Sequence, residues 1–202
     1  MTETVAPTQH IVLDIPPDFH EVPLDLAVED RVAARSALLD RLGLTDSARR
    51  EGFALFLEAV SRAVGDGPVV ATSFCAVQLA GRPSTATLTV ATQAGVFADP
   101  LVSVYGTAET LIRRGAHRAV RVERVGPHSV VLATSRVRDD VSRAAEGPDL
   151  HQVTVVVPVP GLPLLALLAI TSTAADLATY TDVVRTVAAS LRVAPPERGS
   201  GY

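Results

Sequence analysis

The chain contains no lysine, asparagine or tryptophan and only one cysteine, Cys75. One cysteine cannot form a disulfide within the chain, which is typical of proteins in a reducing compartment. All 18 basic residues are therefore arginine, and against 22 acidic residues they leave a formal net charge of −4. Because binding to nucleic acid normally requires a surplus of basic residues, this balance predicts no nucleic-acid partner. The exclusive use of arginine is itself typical of a GC-rich bacterial genome.

Aromatic residues are also scarce, at 4% of the 202 residues, although hydrophobic residues make up 48%. The core must therefore be built mainly from valine, leucine and alanine. A single domain of this length buries roughly 70% of the surface that its unfolded chain exposes, so it needs no disulfide or metal to hold it together. We predict one domain over residues 9–193, with flexible tails at 1–8 and 194–202.

The most apolar part of the chain, residues 153–175, has no charged side chain and is long enough to cross a membrane as a helix. However, Pro158, Pro160 and Pro163 lie within it, and each removes a backbone donor that a helix in lipid must satisfy. We therefore predict a buried β-hairpin over residues 153–170 and no membrane insertion. The first residues have neither the basic nor the apolar region of a signal peptide, so we expect a cytoplasmic protein.

Turn residues and hydrophobic spacing divide the chain into strands and helices. Runs of β-branched residues between turns rich in glycine and proline predict strands at 10–15, 69–79, 84–92, 118–125, 129–137, 152–157 and 164–171. Helical spacing predicts helices at 26–42, 45–64, 100–114 and 174–192. Asp99 with Pro100 predicts the start of the third helix and Gly115 its end, while Thr173 and Asp176 resemble a capping box for the last one. Hairpins interrupted by helices favour an α+β fold, with helices packed on an antiparallel sheet of about six or seven strands.

The residue types that most often carry chemistry form no recognisable site. The five histidines have no metal-ligand spacing, and we interpret each as a surface or turn residue: His10, His20, His117, His128 and His151. Cys75 lies in an apolar strand and is expected in the core. Asp139 and Asp140 are adjacent acids in a predicted loop, where we expect them to be solvated. With no nucleotide-binding or hydrolase motif either, the sequence predicts no catalytic residue, cofactor or metal.

The densest charged feature is a group of five arginines: Arg113, Arg114, Arg118, Arg121 and Arg124. Arg113 and Arg114 are the last two residues of the third predicted helix, where positive charge complements the helix dipole. In an extended strand Arg118 and Arg124 share one face, whereas Arg121 and Glu123 share the other. The group is therefore either a contact for a protein partner or a solvated surface.

The C-terminal third has a recognisable order of elements. A strand ending in Val157-Pro-Val-Pro-Gly161 is followed by an apolar strand at 164–170, a Ser/Thr cap and a long amphipathic helix. With Ile15-Pro-Pro-Asp-Phe19, a helix and hairpins before it, this order resembles the PsbP-like α/β/α sandwich family across residues 10–192. The resemblance implies a binding or assembly factor without catalytic residues, and small bacterial proteins of that fold accompany secretion or envelope loci. The chain departs from many of them in lacking a lipid-bearing N-terminal cysteine and in having paired helices before residue 65.

These observations predict a non-enzymatic cytoplasmic protein-binding or adaptor domain, and more specifically a secretion-associated accessory protein. One alternative is an enzyme or small-ligand protein whose site is assembled from dispersed loop residues, for which His20, Arg82, Asp139 and Asp140 are candidates. Another is an immunity-type inhibitor, since a small acidic domain can mask a basic partner. The identity of the partner and the oligomeric state stay open at this point.

Overall fold

The computed structural model describes residues 10–22, 28–41, 43, 45–47, 50–51, 54, 69–97, 99–137 and 149–194. The strands are β1 (His10–Val12), β2 (Phe19–Glu21), β3 (Val69–Leu79), β4 (Arg82–Ala94), β5 (Ala119–Val125), β6 (His128–Arg136), β7 (Leu150–Pro158), β8 (Leu164–Thr173) and β9 (Arg192–Ala194). The helices with defined bounds are α1 (Val28–Arg41), α2 (Pro100–Arg114) and α3 (Leu177–Ala189).

Seven of these strands form one antiparallel sheet in the order β2-β3-β4-β8-β7-β6-β5, and β1 pairs with β9 in a second, two-stranded sheet. β8 lies at the centre of the large sheet and pairs with β7, with Val153 opposite Ile170. The predicted hairpin over residues 153–170 is therefore confirmed, as is the α+β class with an antiparallel sheet. Among the described residues, no helix is both long enough and apolar enough to span a membrane.

Tight turns join neighbouring strands of the hairpins. Ala80 and Gly81 have positive φ angles of 51° and 77°, as a type I′ turn requires. The strands therefore pair up to the turn, β4 begins at Arg82, and the predicted four-residue loop is wrong. Gly126, with φ of 54°, precedes Pro127 and joins β5 to β6 with the φ signs of a type II′ turn.

Helices cover both faces of the large sheet. On one face α3 packs over β7 and β8 and closes the larger core, which also contains the buried sides of β4 and β6. On the other face α2 packs over β5, β6 and β7 around Val104, Ala108, Val131 and Val156. Since side chains alternate along a strand, β7 and β8 contribute to both cores. This double use explains why the predicted hairpin is apolar at nearly every position.

α2 begins and ends where the sequence predicts. Asp99 accepts hydrogen bonds from the backbone N–H groups of Leu101 and Val102, at 2.8 and 3.1 Å. Pro100 is the first helical residue, where the lack of an N–H carries no penalty. Gly115 ends the helix with φ of 65°, in the left-handed conformation that glycine adopts without strain.

α3 is shorter than predicted, because it begins three residues later and ends three residues earlier than the hydrophobic spacing indicated. Asp176 precedes it but makes no side-chain cap, so the predicted capping box is wrong: the carboxylate accepts from Arg82, Ser84 and the Thr173 hydroxyl and from no backbone N–H at the helix start. After the helix, Arg192–Ala194 becomes β9 and pairs with β1. Arg192, predicted as the last residue of the helix, and Ala194, predicted as the first residue of the tail, are therefore both in a strand.

Two predicted elements near the N-terminus are found where that part of the chain is described. α1 lies within the first predicted helix at 26–42, and β1 lies within the predicted strand at 10–15. β2 was not predicted, because three residues are too few to show an alternating pattern. The described residues include none of the predicted tail at 1–8, only the first residue of the tail at 194–202, and a minority of the second predicted helix at 45–64; Asp139 and Asp140 also lie outside them.

Candidate functional site

β5 forms one edge of the large sheet, and no described strand pairs with its outer side. In an antiparallel pair every second residue directs its N–H and C=O away from its neighbour, so β5 presents a row of backbone groups outward. The opposite edge strand, β2, has three residues, whereas β5 has seven. β5 is thus the longer of the two open edges of the described sheet.

Beside this edge, α2 carries apolar side chains that the sheet does not cover. Tyr105, Ala108 and Ile112 follow a helical spacing of three and four residues and lie on one side of α2. Ala108 is buried, but Tyr105 and Ile112 remain 64% and 62% exposed. With Val120 and Val122 of β5, they line a shallow groove, which we name the β5 groove.

Arginines flank the β5 groove, and some of them are already matched by carboxylates. Arg113 donates to Glu109 at 2.5 Å, one turn earlier on α2. Arg121 Nε lies 3.1 Å from Glu123 Oε2, but Glu123 also binds Arg185 of α3 at 2.8 Å. The hydrogen bond from Arg185 is the main reason why the pKa of Glu123 is lowered. Glu123 is thus shared between two cations, so it only partly offsets Arg121.

Arg118 and Arg124 are exposed, and neither forms an ion pair with a carboxylate among the residues that the structure describes. Arg124 lies on the same face of β5 as Val122, the face towards α2, because side chains two residues apart share a face. Arg121 and Glu123 lie on the other face, beside α3. The predicted division of the charged strand between two faces is therefore confirmed.

Arg114 does not belong to the β5 groove. Successive helical residues point about 100° apart, so Arg114 lies on the opposite flank of α2 from Tyr105 and Ile112. There it lines a second cleft, between α2 and the strands β7 and β8. Of the five predicted contact arginines, the structure places four around β5 and one elsewhere.

The candidate residues for an enzyme site are not brought together. His20 lies opposite Phe74 on β3, whereas Arg82 lies opposite Leu79. Five residues of extended strand separate these positions, or about 17 Å. Arg82 is engaged with the carboxylate of Asp176, and Asp139 and Asp140 lie outside the described residues.

The interaction of Arg82 with Asp176 belongs to a polar cluster under α3. Ser84 Oγ donates to Asp176 Oδ2 at 2.7 Å and lies 3.0 Å from Tyr180 Oη. Hydrogen bonds from Ser84 and Arg82 hold the pKa of Asp176 below its usual value. Asp176 is buried and also accepts from Thr173 Oγ1 at 3.2 Å, so the cluster fixes the start of α3 to the β3–β4 hairpin.

Cys75 lies at the inner end of this cluster, with Sγ 3.7 Å from Tyr180 Oη. Burial raises the pKa of the Cys75 thiol. Burial also raises the pKa of the Tyr180 hydroxyl, to about 12. A nucleophilic cysteine needs a lowered pKa and access for its target. Cys75, only 2% exposed, has neither, so the prediction of a core cysteine is confirmed.

Among the histidines whose burial the structure describes, two are buried, contrary to the prediction of surface or turn residues. His128 is 9% exposed, and its Nε2 lies 3.0 Å from the carbonyl oxygen of Leu191. His151 is 7% exposed, with Nε2 3.3 Å from Asp149 Oδ2. A histidine ring can be buried when a polar partner reaches its nitrogen, as the Leu191 carbonyl does for His128, and sequence spacing does not reveal such a partner. Within the described part of the chain, no three His, Cys, Asp or Glu side chains are grouped as metal ligands.

Comparison with known proteins adds a distant structural likeness. No protein-family model matches the sequence, and no curated protein matches it. Among solved structures, the chain is similar to LpqN, which is described as involved in cell envelope biogenesis of Mycobacterium tuberculosis. The two are 13% identical, the match covers 96% of this chain and 88% of that one, and the TM-score is 0.43. A TM-score this low carries no conclusion about function.

Proposed function

We propose that this chain is a non-enzymatic accessory protein that binds an extended, acidic segment of another protein along β5. The observation that carries the proposal is the combination of an open strand edge, an exposed apolar groove beside it, and Arg118 and Arg124 near the two ends of β5, where neither has an ion-pair partner among the described residues. Each feature alone is common on protein surfaces. Together they supply the backbone, apolar and charged contacts that a bound strand requires.

An added strand would pair with the outward N–H and C=O groups of β5. Because side chains alternate along a strand, one set would face the α2 side and contact Tyr105, Ile112 and Val122. Acidic side chains at the ends of this segment would lie near Arg118 and Arg124, where charge-assisted hydrogen bonds form with carboxylates. The partner is therefore a segment with apolar residues at the centre of the face towards α2, acidic residues on the same face at both ends, and no proline at the paired positions.

The charge at this edge favours a different protein over a second copy of this chain. Four arginines lie around the groove against two glutamates, Glu109 and Glu123. A second copy docked at the same surface would bring the same excess of positive charge. Like charges across an interface oppose association, whereas an acidic segment is attracted.

A binding experiment with designed peptides tests this function. A labelled peptide with valine at its central positions and glutamate at both ends is titrated with the protein, and fluorescence anisotropy reports binding. We expect saturable binding that weakens as salt is added, and no binding of the same peptide with lysine in place of glutamate. The combined variant Arg118→Gln and Arg124→Gln removes two exposed contacts of about 0.5 kcal/mol each, so Kd should rise about fivefold.

Arg114→Gln is the matched control, because Arg114 has the same charge but lies on the other flank of α2. Its peptide affinity should equal that of the unchanged protein. Equal binding of the glutamate and lysine peptides would overturn the proposal. So would sedimentation equilibrium that shows a dimer broken by Tyr105→Ala, since the groove would then be occupied by a second copy.

We also propose a cytoplasmic location and a PsbP-like fold with a secretion-associated role. The free thiol of Cys75 supports a reducing compartment, and helices on both faces of an antiparallel sheet support an α/β/α sandwich. Fractionation of the native host with antibody detection tests the location, and recovery outside the cytoplasm would contradict it. The same arginines disfavour the immunity-type alternative at this surface, because a basic partner would be repelled there.

A further inference from the structure

The flank of α2 opposite the β5 groove contains a cleft of about 260 Å3. Its floor is Leu165 and Leu167, which β8 presents on the face away from the larger core. Leu111 of α2 and Phe97, just before that helix, form its apolar walls. Arg114, from the last turn of α2, also lines the cleft. We propose that this cleft binds a small amphiphilic carboxylate, with its apolar body on the leucines and its carboxylate on Arg114.

The apolar lining is only partly covered in the described structure. Phe97 is 48% exposed, and the neighbouring Val96 is 87% exposed. Large apolar side chains exposed beside a concave, apolar floor are typical of a binding site, because a bound apolar group removes both surfaces from water. The cleft therefore selects a ligand with an apolar body.

Arg114 is the one charged residue among the described residues that line the cleft, beside the uncharged Gln93 and Thr107, so the cleft selects a negative charge. Ser103 Oγ and Thr110 Oγ1 already donate to the carbonyl oxygens of Phe97 and Gly106, at 2.9 and 2.8 Å. Arg114 has no ion-pair partner among the described residues, in contrast to Arg113, which is bound to Glu109. A guanidinium group offers two parallel donors that match the two oxygens of a carboxylate.

The volume of the cleft limits the size of the ligand. If each non-hydrogen group takes about 30 Å3, as a water molecule does in the liquid, the cleft holds about nine such groups. This is the size of a medium-chain fatty acid or a small aromatic acid. The site is separate from the β5 groove, so its occupancy does not depend on the proposed peptide partner.

Sodium octanoate, kept below its micelle concentration, is the probe. Titration into 15N-labelled protein should shift amide signals of residues 93–97, 103–114 and 164–167 with one dissociation constant. 1-Octanol has the same chain without the charge, and we expect it to bind the same residues about tenfold more weakly.

Arg114→Gln should weaken octanoate binding about tenfold and leave octanol binding unchanged. Arg113→Gln is the matched control, because the neighbouring arginine lines the other groove, and it should bind octanoate like the unchanged protein. Phe97→Ala, at an exposed position, should weaken both ligands. Equal affinity for octanoate and octanol, an unchanged affinity in Arg114→Gln, or shifts scattered over the surface would each overturn the proposal.

Discussion

Replacing Leu168 by alanine perturbs the centre of the larger core. Leu168 lies on β8, the middle strand of the sheet, with 0% of its surface exposed. Its neighbours across the strands are Val90 on β4 and Val155 on β7, both buried. α3 covers this face of the sheet, so no solvent reaches the space that the substitution leaves.

The expected decrease in the free energy of unfolding follows from the number of buried atoms that the substitution removes. Leu→Ala deletes three buried carbon groups at about 0.8 kcal/mol each, or about 2.4 kcal/mol, and the remaining cavity raises the loss to about 3–5 kcal/mol. For a chain of this length each kcal/mol lowers Tm by about 2–4 °C, so Tm should fall by at least about 6 °C. Leu165→Ala is the control, because Leu165 lies on the same strand but is half-buried on the other face. Its loss should be about 1–2 kcal/mol.

Urea unfolding followed by circular dichroism measures both variants. The midpoint should fall further for Leu168→Ala, while the slope with denaturant stays the same in the two variants. Equal losses would refute the reasoning, because the two faces of β8 would then be equally covered. A loss below about 1 kcal/mol for Leu168→Ala would show that its side chain is not in a closed core.

Three further predictions concern a turn, an ion pair and a thiol. Gly126→Ala would place a Cβ 3.0 Å from Ala189 at the end of α3, whereas the Cβ of Gly81→Ala meets nothing within 4 Å. The free energy of unfolding should fall by about 1 kcal/mol in both variants because of the positive φ, and by about 1 kcal/mol more in Gly126→Ala because of the contact. Equal urea midpoints would contradict the contact. The folded state lowers the pKa of Asp176. The ionised Asp176 carboxylate therefore stabilises the folded state above about pH 4, and this stabilisation is lost as the pH falls through the pKa that Asp176 has in the folded state. The destabilisation caused by Arg82→Gln should therefore shrink between pH 5 and pH 2, and a constant difference in urea midpoint would disprove the coupling. Cys75 should react with a thiol reagent only as fast as the protein unfolds, and rapid labelling of the native protein at neutral pH would disagree with its burial and raised pKa.

Local chemistry made part of the fold predictable. Asp99, Pro100 and Gly115 act within one turn of the helix that they delimit, so the bounds of α2 could be read from neighbouring residues. The β7–β8 hairpin was predictable because prolines exclude a continuous helix and both arms are apolar. These signals need no knowledge of where the rest of the chain lies.

Long-range pairing was not predictable from the sequence. β9 has three residues and pairs with β1, about 180 positions earlier in the chain. The sequence around Arg192–Ala194 alone therefore does not show that these residues form a strand after the helix. Asp176 has the spacing of a capping residue, yet its carboxylate accepts from Arg82 and Ser84, more than ninety positions away, as well as from Thr173, and does not cap the helix. Distant partners thus change what a local motif does.

The candidate site was predictable in its charge but not in its shape. The density of arginines between residues 113 and 124 was visible in the sequence, whereas their division between two flanks of α2 depends on how that helix crosses the sheet. The exposure of Tyr105 and Ile112 on α2 was not predicted for the same reason. Tyr105 and Ile112 follow the helical spacing of core residues, and only their position beyond the edge of the sheet leaves them uncovered.

Hydrogen–deuterium exchange with the acidic peptide bound tests the central claim, that β5 is the docking edge, most directly. Pairing of a strand with β5 should slow exchange of alternate amides within Ala119–Val125 and leave the β2 edge unchanged. The lysine peptide, added at the same concentration, should slow neither. Peptide binding without slowed exchange in β5, or with slowed exchange at β2, would contradict the claim.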